Sequence, residues 1–140
     1  MIRTFEERDR ASVIDLWRRA DLLRPWNDPD ADIDRKLATS DDLLFVATID
    51  DELVGTVMVG YDGHRGWINY LAVDANVRRA GVGRLLMTHA ERVLADLGCA
   101  KVNLQVRTSN VAAADFYERL GYEHDDVVSM GKRLIDDEQS

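Results

Sequence analysis

The segment Leu71-Ala72-Val73-Asp74-Ala75-Asn76-Val77-Arg78-Arg79-Ala80-Gly81-Val82-Gly83-Arg84-Leu85-Leu86 constrains this chain more than any other. It reads as a buried strand ending at Val73, a short loop, and a helix opened by glycine. The first-turn N–H groups of a helix have no partner inside it and carry the positive end of its dipole. Gly81 and Gly83 leave those donors uncovered by any Cβ, and Arg78, Arg79 and Arg84 add positive charge beside them. The turn is therefore an anion site, suited to a phosphate or pyrophosphate. Two common phosphate templates fail. The dinucleotide fingerprint requires a third glycine where Leu86 stands, and the P-loop requires a lysine where Arg84 stands.

At 140 residues the chain is sized for one domain, spanning 1–140, with a single core. Hydrophobic residues at 46% and charged residues at 31% describe a globular rather than a disordered sequence. No apolar run approaches the roughly 20 residues that span a bilayer, and the first residues lack a secretory signal. No membrane association is expected, and the expected location is cytoplasmic. The lone Cys99 excludes an internal disulfide and a CxxC metal site, so no metal is expected. A net charge of −8 opposes a nucleic-acid partner and suits a cationic acceptor such as an amine.

Taken in order, residues 2–5 read as a first strand, and Asp9 or Ser12 caps a helix bearing Val13, Leu16, Trp17 and Ala20. Asp28-Pro29 starts a second helix through Ile33 and Leu37. Residues 43–50 and 53–61 form a hairpin, and Asp62-Gly63 turns the chain into a strand over 67–73. The helix over 81–97 presents Leu85, Leu86, Ala90, Val93, Leu94 and Leu97 to the core, and Gly98 ends it. A strand over 101–107 follows, then a helix capped by Ser109 or Asn110 with Phe116, Tyr117 and Leu120 inward. Residues 122–134 read as one or two last strands, and 136–140 as a frayed tail. The expected fold is α/β (α+β): a mixed, mostly antiparallel sheet of 6–7 strands flanked by four helices, in the order β-α-α-β-β-β-α-β-α-β(-β).

Arg78-x-x-Gly81-x-Gly83 after Leu71-Ala72-Val73 resembles the pyrophosphate motif of the GCN5-related N-acetyltransferases, the GNAT superfamily. Asn110-Val111-Ala112-Ala113-Ala114-Asp115-Phe116-Tyr117-Glu118-Arg119-Leu120-Gly121-Tyr122 is similar to the family's second signature, Asn-x-x-Ala-x-x-Phe-Tyr-x-x-x-Gly-Phe/Tyr. The segments 22–29 and 60–66 also resemble a small bacterial subgroup, the YpeA-like acetyltransferases.

The resemblance implies an N-acetyltransferase that uses acetyl-CoA as cosubstrate and needs no metal. Leu71, Ala72 and Val73 would lie along the pantetheine arm, with backbone groups of Leu71 and Val73 bonding to it. Arg78, Arg79, Ala80, Gly81, Val82, Gly83 and Arg84 would surround the pyrophosphate. Asn110 would face the pantetheine near the thioester, and Tyr117 would be the general acid that protonates the leaving thiolate. The amine must also lose a proton, and here the chain departs from several relatives. Gln105 occupies the place of a glutamate base, and the strand over 67–73 offers only Asn69 and Tyr70. Asp62, His64, Glu123, His124 and ordered water are the candidates left open. The acceptor pocket is expected between the loop bearing Arg24, Trp26 and Asn27 and the turn bearing His64. A chain with no assigned base also suits a second reading, a non-catalytic acyl-CoA-binding sensor or regulatory partner. A homodimer through the edge over 127–134 is a further expectation.

Overall fold

Short apolar runs rich in β-branched residues, punctuated by acidic and glycine turns, fold into one five-stranded sheet in the computed structural model, which describes residues 1–137. Its strands are Ile2–Thr4 (β1), Leu44–Ile49 (β2), Glu52–Tyr61 (β3), Gly66–Val73 (β4) and Val102–Leu104 (β5), in the order β1-β2-β3-β4-β5. The first three pairings are antiparallel, and β4 pairs β5 in parallel. The parallel step follows from the helical crossover between those two strands.

Helices Arg10–Arg19 (α1) and Pro29–Ala38 (α2) cover one face, and Val82–Asp96 (α3) and Val111–Arg119 (α4) cover the other. Alternation along β2 explains the division. Leu44 and Val46 join Val13, Leu16, Trp17 and Ile33 on the α1–α2 face. Phe45 and Ala47 join Leu86, Met87, Ala90 and Leu94 on the α3 face. Leu86 and Leu94 have no exposed surface, and burial of each stabilises the fold by roughly 1.5–3 kcal/mol.

Four expectations are corrected. The expected 6–7 strands become five, because residues 122–134 form no strand among the described residues. Side chains rather than a backbone ladder tie that segment to β5. Asp125 accepts bonds from Lys101 Nζ and Asn103 Nδ2, both at 2.9 Å, and Gln105 Nε2 donates to Ser129 Oγ. Its apolar residues Val127, Val128 and Met130 face solvent, so no alternating face holds it down.

The expected frayed tail is held at Asp137, whose carboxylate takes Arg35 at 2.9 and 2.6 Å; residues 138–140 lie outside the described residues. Asp9 stands at the N-cap position of α1 but its side chain makes no capping bond, and Ser12 lies inside the helix. The Asp9 carboxylate turns back to Arg3 at 2.8 and 2.9 Å and to the Glu6 N–H at 2.8 Å. Finally, the buried stripe of α3 is Val82, Leu86, Met87, Ala90 and Leu94, while Leu85 and Leu97 are exposed.

Candidate active site

Strand β4 meets its two neighbours differently. Its pairing with β3 extends to Val73, but its pairing with β5 covers only Gly66, Ile68 and the residue between them. Beyond Ile68 the edge facing β5 is open. A register shift of the β3–β4 ladder falls between Thr56 and Met58, opposite Tyr70, which adopts φ +50°. A side chain in that region costs about 1–2 kcal/mol and must be held by its surroundings. Here the Tyr70 ring stacks on Trp17 at 3.8 Å, and its hydroxyl donates to Asp32 Oδ2 at 2.5 Å. Burial, reinforced by that carboxylate, pushes the Tyr70 hydroxyl well above the usual tyrosine range.

The direction of the open donors follows from the closed ones. The Asp74 N–H donates to Val54 C=O on β3 at 2.8 Å, so alternation turns the Val73 N–H away from β3. The Tyr70 C=O accepts from Thr56 Oγ1 at 2.9 Å, and its peptide to Leu71 is trans. The Leu71 N–H therefore points the other way. A cavity of about 1230 Å³ lies beside this strand, with Asn69, Gln105, Thr108 and Tyr117 among its walls.

The glycine turn adjoins the end of β4. Residues Ala75–Ala80 form a 3₁₀ turn whose start is fixed by Asp74, which accepts the Asn76 N–H at 2.9 Å. Gly81 then takes φ +77°, a conformation glycine adopts freely, and opens α3. No side chain caps this helix and no acidic residue lies in its first turn. Its first intrahelical bond is Leu85 N–H to Gly81 C=O at 3.0 Å, so the N–H groups of Val82, Gly83 and Arg84 have no partner within the helix. Gly83 has a second role, because a Cβ there would lie 3.2 Å from Phe116 Cζ. Its absence lets α4 pack against the start of α3. Arg78 and Arg84 are exposed and have no ion-pair partner among the described residues. By contrast Arg3, Arg10, Arg19 and Arg35 each pair with an aspartate. Unpaired guanidinium beside open helix donors is the electrostatic signature of an anion site.

Tyr117 sits on α4, its ring edge-on to Phe116 at 5.2 Å and to Tyr122 at 5.8 Å. Its hydroxyl has no hydrogen-bond partner among the described residues, and burial pushes it up to about 12. It stays protonated across the neutral range and is free to donate. Asn110 caps α4 through its side-chain oxygen, which accepts the Ala113 N–H at 3.1 Å. Its amide nitrogen remains as a donor.

The acceptor residues are divided by the fold. Trp26 is 41% exposed and lies over the Arg107 guanidinium, 5.7 Å from its ring centre, so the α1–α2 loop reaches the chain just after β5. Arg24 folds back instead, donating to Asp21 C=O at 2.8 Å and Leu23 C=O at 3.0 Å. Asn27 bonds through its own N–H to Arg24 C=O at 2.9 Å within the same loop. His64 and Asp62 sit in the β3–β4 turn, where Asp62 accepts the His64 and Arg65 N–H groups. From the start of β4 to Leu71 is roughly 16 Å at the strand rise per residue, so the turn is at the far end of the strand from the open edge. The fold does not bring it to Trp26. Glu123 and His124 do line the same cavity as Tyr117, and His124 Nε2 lies 3.0 Å from Glu118 Oε1. Trp17, Thr56 and Tyr70 were not among the expected site residues. The one signal for them was a threonine inside the apolar run of β3.

The comparisons with known proteins agree with this geometry. The model of the Acetyltransferase (GNAT) family matches residues 11–122. Among solved structures, Ard1 from Thermoplasma volcanium is 28% identical, with 86% of this chain and 80% of that chain covered and a TM-score of 0.77. The ribosomal-protein-S18-alanine N-acetyltransferase from Escherichia coli is 26% identical, with 86% and 76% covered and a TM-score of 0.69. An aminoglycoside acetyltransferase, meta-AAC0020, from an uncultured soil metagenomic sample is 25% identical, with 96% of each chain covered and a TM-score of 0.74. The YpeA-like resemblance stays with the segments 22–29 and 60–66 alone. With a family model spanning most of its length, a glycine turn at an open helix start and a strand splayed beside it, this chain belongs to the GCN5-related N-acetyltransferases.

Proposed function

We propose that this protein is an acetyl-CoA-dependent N-acetyltransferase, moving an acetyl group from the CoA thioester to an amine by direct attack. The observation that carries the reading is a Tyr117 hydroxyl, without a hydrogen-bond partner among the described residues, on the wall of the cavity beside β4. A non-catalytic acyl-CoA binder has no use for a proton donor held there.

In this account Ala80 and Gly81 shape the turn, while Val82, Gly83 and Arg84 offer N–H groups to the pyrophosphate. Arg78 and Arg84 supply charge to it, with the Arg79 backbone alongside. Backbone groups of Leu71 and Val73, flanking Ala72, hold the pantetheine arm, and the Asn110 amide nitrogen donates to it. The amine lone pair attacks the thioester carbonyl carbon, and the Leu71 N–H stabilises the oxyanion that forms. The C–N bond forms, the C–S bond breaks, and its electron pair leaves on sulfur, which takes the Tyr117 proton. The ammonium product loses a proton to ordered water, and Tyr117 is reprotonated from solvent. Gln105 cannot serve as base; of the candidates left open by the sequence, Glu123 and His124 line the cavity, together with the carboxylates Glu91, Glu118 and Asp125.

The acidic surface and the exposed Trp26 support a cationic acceptor, approaching from the α1–α2 face. Exposed Val127, Val128 and Met130 support self-association along that segment, which sedimentation at two concentrations tests. We place the protein in the cytoplasm. The direct test of function is thiol release from acetyl-CoA across a panel of lysine peptides, peptide N-termini, polyamines and aminoglycosides. Release well above hydrolysis with one class supports the enzyme. Acetyl-CoA binding with no release across the panel favours the non-catalytic reading.

A further inference from the structure

Thr56 is a fully buried hydroxyl between α1 and β4. Trp17 Nε1–H donates to its Oγ1 at 2.9 Å, and the Thr56 hydroxyl donates to Tyr70 C=O at 2.9 Å. The direction of both bonds is forced. An indole N–H only donates, so the threonine oxygen accepts from it, and the single hydroxyl proton is left for the carbonyl. That carbonyl belongs to the residue at φ +50°, where the β3–β4 register slips. A trans peptide is planar, so holding Tyr70 O in place also fixes where the Leu71 N–H points.

We propose that Trp17 and Thr56 form a positioning relay that locks the Tyr70–Leu71 peptide and aims the Leu71 N–H at the thioester carbonyl. The inference rests on the acetyltransferase reading above. The Tyr70 ring is clamped separately, stacked on Trp17 and bonded to Asp32. The ring clamp fixes where the residue sits, and the hydroxyl fixes which way its peptide faces. All of these partners come from the α1–α2 face or from β3, while the donor they aim serves the opposite edge of β4. A donor already aimed costs no reorganisation when charge develops on oxygen, whereas a rotated peptide would present its carbonyl there instead.

The test compares Thr56→Val, which keeps the shape and loses both bonds, with Thr56→Ser, which keeps both. The relay predicts that Thr56→Val lowers kcat about 10- to 100-fold, a fraction of what losing an oxyanion donor outright costs. Its acetyl-CoA KM and its CoA affinity should stay within about threefold, and Thr56→Ser should hold kcat to the same margin. A purely structural threonine would lower thermal stability without splitting kcat from KM. Thr56→Val with kcat within twofold of wild type, or Thr56→Ser falling as far as Thr56→Val, overturns the relay. Should Thr56→Val not fold, the amide resonance of Leu71 in the wild type decides. Acetyl-CoA should shift it more than CoA, which has no thioester carbonyl, and equal shifts overturn the relay. A wild type that binds no CoA overturns the acetyltransferase reading and the relay together. An active wild type with an indifferent Thr56→Val overturns the relay alone.

Discussion

The two long edges of β4 show how one strand is both anchored and left available. Toward β3 the ladder runs to Val73, the slip in register is bridged by the Thr56 hydroxyl, and Trp17 backs it from α1. Toward β5 the ladder stops after Ile68, and the facing chain from Gln105 onward is held by side chains such as Ser129. Buried backbone groups left without partners are costly, so an open strand edge beside a cavity is tolerated when water or a ligand supplies the missing bonds. The comparison teaches that rigidity on the β3 side is what allows vacancy on the β5 side. A strand loose on both edges could not aim its donors.

Breaking the chemistry on the open side should give the largest effect. Tyr117→Phe removes the only proposed proton donor while keeping the ring contacts with Phe116 and Tyr122. We expect kcat about 100-fold lower or more, with acetyl-CoA affinity unchanged in calorimetry. Because the Tyr117 hydroxyl is pushed up to about 12, its protonated form persists as pH rises, so wild-type kcat should show no loss from this group below about pH 10.

Next comes the outer edge of the sheet at β1, far from the open edge of β4, where damage should appear as stability rather than turnover. Asp9 is buried at the N-terminal end of the sheet and is held by Arg3 and the Glu6 N–H. Asp9→Asn should cost about 2–3 kcal/mol in urea denaturation and leave acetyl-CoA affinity alone. The Arg3 bond lowers the Asp9 pKa below its ordinary 3.8. The wild type therefore keeps this contribution above that pH and loses it as pH falls further, and the variant lacks that acid-dependent loss. A change in cofactor affinity in Asp9→Asn would mean that the β1 edge of the sheet and the cofactor site are not independent.

Smaller effects should sharpen the anion site and the acceptor side. Arg84→Ala should weaken acetyl-CoA binding about 3- to 10-fold at low salt, and the difference should shrink as salt rises, since Arg84 is exposed. Trp26→Ala should raise the acceptor KM by a few-fold with acetyl-CoA KM unchanged, measured once an acceptor is found. An unchanged acceptor KM would remove the α1–α2 loop from the acceptor site.

The open edge and the glycine turn were legible in unequal degree. The turn could be read directly, because Gly81, Gly83 and the arginines at 78, 79 and 84 stand within one short stretch at a helix start. So could the cap of α2 by Asp28, the cap of α4 by Asn110, and the helix ends at Gly98 and Gly121, both at positive φ. The splay has no such local signal. Its cause is long-range: Tyr70 is an ordinary strand former, and only partners from α1, α2 and β3 hold it at φ +50°. The last strands were misread for a related reason. Residues 122–134 have β-branched residues, but Asp125 and Ser129 bond to side chains of β5 and of the residues flanking it, and no ladder forms. The periodicity of α3 gave the helix but not its rotation. Val82 and Met87 take the sheet-facing positions, and Leu85 faces outward.

The most direct test of the central claim, that the glycine turn and the open edge of β4 receive acetyl-CoA, is calorimetric titration of the wild type beside Gly81→Trp and Gly81→Asn. A Cβ at Gly81 meets nothing within 4 Å, but the φ of +77° strains a tryptophan there by about 1–2 kcal/mol and an asparagine less, so circular dichroism first establishes that each variant is folded. The account predicts micromolar binding by the wild type, retained by Gly81→Asn and abolished by Gly81→Trp, whose side chain covers the donors of α3. A folded wild type that binds no acetyl-CoA, or a Gly81→Trp variant that binds as tightly as the wild type, would contradict it.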